Sequence, residues 1–484
     1  VYKSSTQPYA HQREALAIAK GRDAFAYLLE MGTGKTKIVV DEVGELSTEQ
    51  PIGVLVVCPN GLQRNWLDEF RVHCGTPHEA RQLRDTDELL ESASPLIVCV
   101  VNIESTRQGT KGAADVARFV THCERTGRPL YMAVDESHRI KNPGAAQTKA
   151  ILALGTRAKW RRILTGTATA NSPVDLFAQF AFLDPSILRT RSLVAFRAHY
   201  CELEPEALAR RITKVMPPRP APQIIKRDDL GRPRFRNLDE LASLIAPHVY
   251  RKRKDECLDL PPKIYASRYC TLTPKQRQIY ELVRREMLVE IELEGGSVRI
   301  DSPIMLVRLT KLAQIVGGFV EGERINEPQD NPKLNALLEI AEDADGSSLL
   351  VWARHLHEID EVVAALKRAG RRVGVLTGAQ SADERRGHIE AFQAGALCSL
   401  VGQVAMGIGF NATRAAHVIY YSNDFSLVNR MQSEDRAHRS GLAHPVTIYD
   451  LIAENTVDEK IVEALRAKKT LAQAVAGDPI DKWI

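Results

Sequence analysis

Short, almost unbroken apolar runs recur along the first third of the chain. Between them, apolar residues return every three or four positions. "AFAYLL" (24–29), "IGVLVVCP" (52–59), "PLIVCVVN" (95–102), "LYMAVDE" (130–136) and "RRILTGT" (161–167) are the runs. Short runs rich in β-branched residues predict strands buried on both faces, and the stretches between them predict amphipathic helices. Their alternation predicts a doubly wound parallel sheet. The rhythm stops after "FAFLDP" (180–185). It returns at "SLLVWA" (348–353), "RVGVLTG" (372–378), "LCSLVGQ" (397–403), "HVIYYS" (417–422) and "VTIYDL" (446–451).

The middle of the chain follows other rules. "KVMPPRPAPQ" (214–223) is neither helix nor central strand, because proline lacks the amide donor and fixes the backbone. A basic helical stretch is expected over 238–256, a linker at "LDLPPK" (258–263), and mainly helix over 275–316. The expected fold class is therefore α/β, with two doubly wound parallel-sheet lobes and a helical insertion between them. The expected division is 1–185 for the first lobe and 186–262 for its basic helical protrusion and linker. A helical protrusion of the second lobe follows at 263–335, and the second lobe itself at 336–484.

Composition changes this picture little. With 44% apolar and 26% charged residues over 484, the chain has the material for more than one core. No apolar run approaches the roughly 20 residues of a membrane span, and none reads as a signal peptide. Charge is more informative. Residues 184–270 hold 18 Lys and Arg against 11 Asp and Glu, a net of +7 within a total of +4. A basic middle points either to a polyanionic partner or to a solvated surface. The eight cysteines include no CxxC pair, which excludes zinc-ribbon spacing and leaves reduced, mostly buried thiols.

Three stretches carry chemistry. "LLEMGTGKT" (28–36) follows an expected strand and precedes an expected helix, the context of a phosphate cradle. The common form of that loop has a glycine where Leu29 stands, so an ordinary turn remains open. As a cradle, Lys35 meets the β- and γ-phosphates and Thr36 a magnesium ion. "LYMAVDESH" (130–138) ends an apolar strand in two acids; Asp135 suits magnesium and Glu136 suits the attacking water. A solvated corner is the plainer reading of that pair. "QSEDRAHRSG" (432–441) sets Arg436 and Arg439 three apart, expected on one helical face. They serve either as arginine fingers on a γ-phosphate or as the salt-bridged surface of a helix.

Taken together, these stretches resemble the superfamily-two helicases, and within them the Swi/Snf-like DNA translocases of short bacterial or phage type. "YAHQREALAIA" (9–19) resembles the adenine-reading glutamine element, and "EMGTGKT" a first motif that does not require the early glycine. "VLVVCPNGLQRNWLDEF" (54–70) and "VNIES" (101–105) are similar to motifs Ia and Ib. "DESHRIKNPGAAQTKAI" (135–151) is similar to motif II with its extension, and "LTGTATANSPVDLFAQFAFLDP" (164–185) to motif III. "MGIGFNATRAAHVIYYSNDFSLVNRMQSEDRAHRSG" (406–441) resembles motifs V and VI. Ala168, Phe425 and the Ser440-Gly441-Leu442 run depart from the usual residues.

The resemblance implies RecA-like lobes with the insertion between motifs III and IV. It implies ATP and Mg2+, with Gln12, Met31, Gly32, Thr33, Gly34, Lys35, Thr36, Gly409, Arg436 and Arg439 at the nucleotide. It implies a phosphate-backbone track through Asn60, Gln63, Arg64, Asn102, Lys141, Thr165, Thr167, Arg354 and Asn411. Trp66 and Trp352 are expected in cores. The implied function is an ATP-driven translocase on double-stranded DNA, cytoplasmic in a bacterium or infected host and nuclear in a eukaryote. It would act as a monomer without accessory domains or membrane partner, with other proteins able to recruit it. A strand-unwinding or annealing helicase at forks, and a non-catalytic DNA-binding scaffold, are the competing readings.

Overall fold

A computed structural model describes residues 2–83, 86–166, 172–213, 223–226, 233–293, 303–407, 409–439 and 441–475. The chain divides into two compact units: one boundary, between Leu258 and Asp259, falls inside the expected linker, and the described residues from Thr470 onward group with the first unit rather than with the expected second lobe.

The first unit is built on β1 (Ala24–Leu29), β2 (Ile52–Cys58), β3 (His78–Gln82), β4 (Leu96–Asn102), β5 (Leu130–Asp135), β6 (Trp160–Leu164) and β7 (Val249–Lys252). All pair in parallel, in the order β3-β4-β2-β5-β6-β1-β7. Five of these strands are the apolar runs read from the sequence. Their continuous hydrophobicity has a direct cause, because the sheet is buried on both faces. Leu55, Val57, Met132 and Val134 pack into one core, and Val54, Val56, Tyr131 and Ala133 into the other. A parallel sheet places every strand's carboxyl end at one edge, where ligands of such folds gather.

Two strands of this sheet depart from expectation. β3 reads "HEARQ", half-buried throughout, and carries no apolar signature. The stretch expected to be a basic helix over 238–256 is instead a helix, Leu238–Ile245, followed by β7, which adds to the sheet beside β1. Both lie at the sheet's edges, where one ladder suffices and charged residues discourage further pairing.

The second unit is a six-stranded parallel sheet in the order β12-β13-β11-β14-β15-β8, with a small hairpin of β9 (Phe319–Val320) and β10 (Glu323–Arg324). Its strands are β8 (Lys263–Cys270), β11 (Leu349–Ala353), β12 (Val373–Leu376), β13 (Ser399–Gln403), β14 (His417–Tyr420) and β15 (Val446–Ala453). The expected all-helical protrusion over 263–335 therefore begins with an eight-residue strand paired along β15. Helices Pro274–Leu293 and Pro303–Gly317 follow, as expected. Most of "KVMPPRPAPQ", Thr167, Ala168 and Ser440 lie outside the described residues. Among the described residues no helix is long and apolar enough to cross a membrane.

Candidate nucleotide site and polar surface

The phosphate-loop candidate occupies the turn between β1 and helix Lys35–Glu49. Gly32 (φ 79°) and Gly34 (φ 77°) both take left-handed backbone, which a side chain resists. Gly34 caps the helix with no side-chain acceptor, so the first helical amides stay available to an anion. The Lys35 ammonium donates to the carbonyls of Leu29 (2.9 Å) and Glu30 (3.1 Å). Neutral carbonyls are exchangeable partners for a phosphate oxygen. The loop is braced from behind. Gln12 is 1% exposed; its Nε2 donates to Gly34 O (3.2 Å) and its Oε1 accepts from Tyr9 N (2.8 Å). His11 Nε2 lies 2.8 Å from Thr33 O, and the Thr33 hydroxyl donates to Glu30 O. Gly166 sits against the same loop, since a Cβ there would lie 3.3 Å from Leu29 O and from Met31 N. As placed, the carboxamide of Gln12 is engaged with protein and supports the loop.

The helix that starts at this loop is anchored in the core by a charge network. Glu42 accepts from the hydroxyls of Tyr27 (2.9 Å) and Tyr131 (2.7 Å). Arg162 donates to the same carboxylate through Nη2 (2.5 Å) and Nε (3.1 Å). Burial opposes the guanidinium's charge, but Glu42 and Tyr131 outweigh it and hold Arg162 above its ordinary value.

Asp135 ends β5 and Glu136 follows it, in a left-handed conformation (φ 50°) uncommon for a non-glycine residue. Asp135 Oδ2 accepts from Trp66 Nε1 (2.9 Å), and Oδ1 from the Glu136 amide (2.9 Å). Burial, and then the charge of Glu136, push the Asp135 carboxyl up to about 6, while Trp66 and Lys35 pull the other way. Two buried acids with this surplus of negative charge suit a cation. Among the described residues no cluster of three or more His, Cys, Asp or Glu forms a protein cage. Mg2+ needs none, since it keeps waters and phosphate oxygens and takes one or two protein ligands. Asp135 offers one carboxylate, and Thr36 lies in the first turn of the helix that starts at the loop. Glu136 Oε2 lies 3.3 Å from His138 Nδ1, which lies 3.2 Å from Thr165 Oγ1.

The expected backbone track falls into parts. Asn60, Gln63 and Asn102 come together beyond β2 and β4. Asn60 Oδ1 accepts from Gln63 Nε2 (2.7 Å) and from Asn102 Nδ2 (3.4 Å). Arg64 is exposed beside them, and Lys141 is half-buried after the short turn of helix Ser137–Ile140. Thr165 is different: it is fully buried, and its hydroxyl faces His138 rather than the surface. It joins motif II to motif III inside the unit.

In the second unit, helix Leu427–Ala437 carries Arg436 in its last turn, and Arg439 lies two residues beyond its end. The expectation of one helical face is therefore corrected, because the helix stops at His438. The two arginines still converge on one loop. Arg436 Nη1 donates to Phe410 O (3.0 Å), and Arg439 donates to Asn411 Oδ1. Gly409 (φ 83°) starts that loop. The helix itself is fastened at Glu434, whose carboxylate accepts from Arg430 Nε (2.7 Å), Lys263 Nζ (3.0 Å) and the Tyr265 hydroxyl (2.8 Å). Burial works against that charge, yet Lys263 and Arg430 hold the Glu434 carboxyl well below the ordinary range. Arg354, expected at the backbone, donates to Thr310 Oγ1 (3.0 Å) and lies over the Phe425 ring. Burial pushes its guanidinium down.

Sequence reasoning missed Trp66 as a partner of Asp135, His138 as the bridge to Thr165, and His11 as a brace. The first is a hydrogen bond between residues 69 apart, and no local pattern signals it. Trp66 and Trp352 are fully buried, as expected.

Two family models match the chain. The SNF2-related domain matches residues 28–316, and the helicase conserved C-terminal domain matches 332–441. An uncharacterized ATP-dependent helicase of Mycoplasma genitalium is 24% identical over 92% of the chain, and an ISWI chromatin-remodeling complex ATPase of Arabidopsis thaliana is 26% identical over 92%. The chain spans 39% of the length of each of these relatives. A SWI2/SNF2 ATPase core of Sulfolobus solfataricus, solved in complex with dsDNA, is 24% identical with a TM-score of 0.41, over 99% of this chain and 95% of that one. With the domain match covering more than half of its residues, the chain belongs to the SNF2-related family of superfamily-two helicases.

Proposed function

We propose that the chain is an ATP-driven translocase on double-stranded DNA. The observation that carries the reading is the meeting of three features at one edge of a parallel sheet: an uncapped helix start at Gly34, the Lys35 ammonium on exchangeable carbonyls, and the buried Asp135–Glu136 pair. Lys35 would leave Leu29 and Glu30 for phosphate oxygens, and the loop amides would hold the remaining anionic oxygens. Thr36 and Asp135 would hold magnesium, which supplies positive charge to the phosphates when bound. The Glu136 carboxylate would orient the attacking water and take its proton as the water oxygen bonds to the γ-phosphorus and the bond to the bridging oxygen breaks. Arg436 and Arg439 would neutralise the charge that develops. Asn60, Gln63 and Asn102 supply the small polar groups that suit sequence-independent phosphate contact. The relatives named above, one of them a chromatin-remodeling ATPase, support the choice of nucleic acid as the track.

The test is steady-state ATP hydrolysis with blunt duplex DNA, single-stranded DNA and duplex RNA at one salt concentration, since salt alone changes these affinities. Blunt duplex DNA is expected to stimulate most. Stimulation by single strands without stimulation by blunt duplex would sink the reading. Lys35→Ala and Glu136→Gln are each expected to abolish the stimulated rate, with Glu136→Gln still binding ATP. Near-normal turnover in Glu136→Gln would remove the water-activating role.

A further inference from the structure

Trp66 is fully buried, and a buried indole has one donor that must find an acceptor. Many acceptors would serve a core tryptophan. The one used here is Asp135 Oδ2, at 2.9 Å, on the carboxylate that suits the metal. The donor comes from helix Gln63–His73, whose first residue belongs to the Asn60–Gln63–Asn102 cluster. Gln63 and Trp66 are three residues apart, about one helical turn. The ring packs beside Phe70 (centroids 6.4 Å apart) and sits in the same core cluster as Val56, Cys58 and Val100 of β2 and β4. One rigid turn of helix thus has its start on the exposed polar cluster and its buried face on the acid. A displacement of Gln63 by a ligand has little freedom to dissipate before it reaches the indole N–H, because the core around the ring is close-packed.

We propose that Trp66 is a positioning residue that couples the polar surface at Asn60, Gln63 and Asn102 to the carboxylate of Asp135, so that duplex DNA on that surface and magnesium–nucleotide at Asp135 strengthen each other's binding through the indole N–H. The proposal rests on the function proposed above. It goes beyond that function by assigning the connection between the two ligands to one hydrogen bond. Linkage makes the coupling reciprocal: whatever factor duplex DNA contributes to nucleotide affinity, nucleotide contributes to duplex affinity.

The experiment titrates a fluorescent non-hydrolysable ATP analogue with Mg2+ into the full chain, with and without saturating blunt duplex. The wild type and Trp66→Phe, which keeps a buried ring and loses the N–H, are compared. In the wild type, duplex is expected to tighten analogue binding by at least about fivefold. In Trp66→Phe that ratio is expected to fall to about one, with the reciprocal titration agreeing. A tryptophan that only fills the core would change both affinities and leave their ratio intact, so an unchanged ratio overturns the proposal. A wild type that binds neither duplex nor analogue overturns the functional reading along with it. A second measurement needs no variant at Trp66. The chain has four tryptophans, so the indole N–H resonances of the wild type, assigned by substituting the other three, can be followed on adding duplex alone, without metal or nucleotide. The Trp66 resonance is expected to shift. A resonance that stays in place at saturating duplex overturns the coupling even if Trp66→Phe fails to fold.

Discussion

Replacing Arg162 by methionine keeps an unbranched side chain of similar length and removes a charge that the core of the first unit is built around. Arg162 is 1% exposed. Its guanidinium supplies Nη2 and Nε to Glu42, at 2.5 and 3.1 Å, and also reaches the main-chain oxygens of Arg22 (2.8 Å), Asp23 (3.0 Å) and Arg161 (3.0 Å). Without it, the Glu42 carboxylate keeps only the hydroxyls of Tyr27 and Tyr131 among these bonds, and three carbonyls lose a donor. Removing one partner of a buried ion pair costs about 3–5 kcal/mol, because the other charge stays behind uncompensated. Against a typical stability of about 5–15 kcal/mol, that is a large part of the whole. In a unit of this size it corresponds to a fall of roughly 6–20 °C in melting temperature. Calorimetry of the wild type, Arg162→Met and the double variant Glu42→Gln/Arg162→Met measures it. The double variant removes the stranded charge and leaves an oxygen for the tyrosines, so it should melt above Arg162→Met. A shift below about 2 °C for Arg162→Met, or a double variant no more stable than the single one, would refute the reasoning.

Gly34→Ala forces a side chain into left-handed backbone, at about 1–2 kcal/mol, and sets a Cβ hard against Gln12 Nε2. Affinity for a fluorescent ATP analogue should fall by about tenfold or more, and adding Gln12→Ala should recover only the steric part; unchanged affinity in Gly34→Ala would remove the loop from the site. Arg439→Ala should lower DNA-stimulated turnover by about 10³-fold, as expected for an arginine acting on a transferring phosphoryl group, with a smaller change in duplex affinity by fluorescence anisotropy. Equal losses in both would assign Arg439 to the track. Glu434 is held below the ordinary carboxylate range, so its contribution to stability is present above about pH 4.3 and is lost as pH falls below that value. Melting temperature between pH 5 and about 3 should therefore drop more steeply in the wild type than in Glu434→Gln, and parallel slopes would count against the network.

The strands that are buried on both faces were legible in the sequence because burial on both faces leaves no polar position to interrupt the run. β1, β2, β4 and β5 show this, as do β11 and β13. Of the four strands at the sheet edges, β12 was legible and the other three were not. β3 is polar along its length, β7 is four residues ending in Arg251 and Lys252, and in β8 exposed positions such as Ile264 and Tyr269 break any burial pattern. Each takes its conformation from a neighbour, and that neighbour is distant in sequence. The site divides the same way. Asp135 and Glu136 stand at the end of one legible strand, and Lys35 and Thr36 open the helix that follows another, so the strand rhythm framed both stretches. Thr165 and Arg354 were expected at a phosphate backbone because the family resemblance implied it. Their actual partners, His138 and Thr310, are set by packing between elements. The separation of Arg436 from Arg439 depends on a helix ending at His438, where neither glycine nor proline marks a stop.

The support of Gly34 by Gln12 has a consequence for where the nucleotide loop begins. Its shape depends on Gln12 Nε2 against Gly34 O, on Tyr9 N holding the other end of that carboxamide, and on His11 at Thr33 O. Residues 28–36 are therefore not a portable module. Grafted elsewhere, or left in a chain shortened from its start past Gln12, they would keep every group that touches phosphate and lose what holds those groups still. Positions 12 and 34 also share one space, so a longer side chain at 34 requires a shorter one at 12. Variation at the two positions should be correlated among chains that keep this turn.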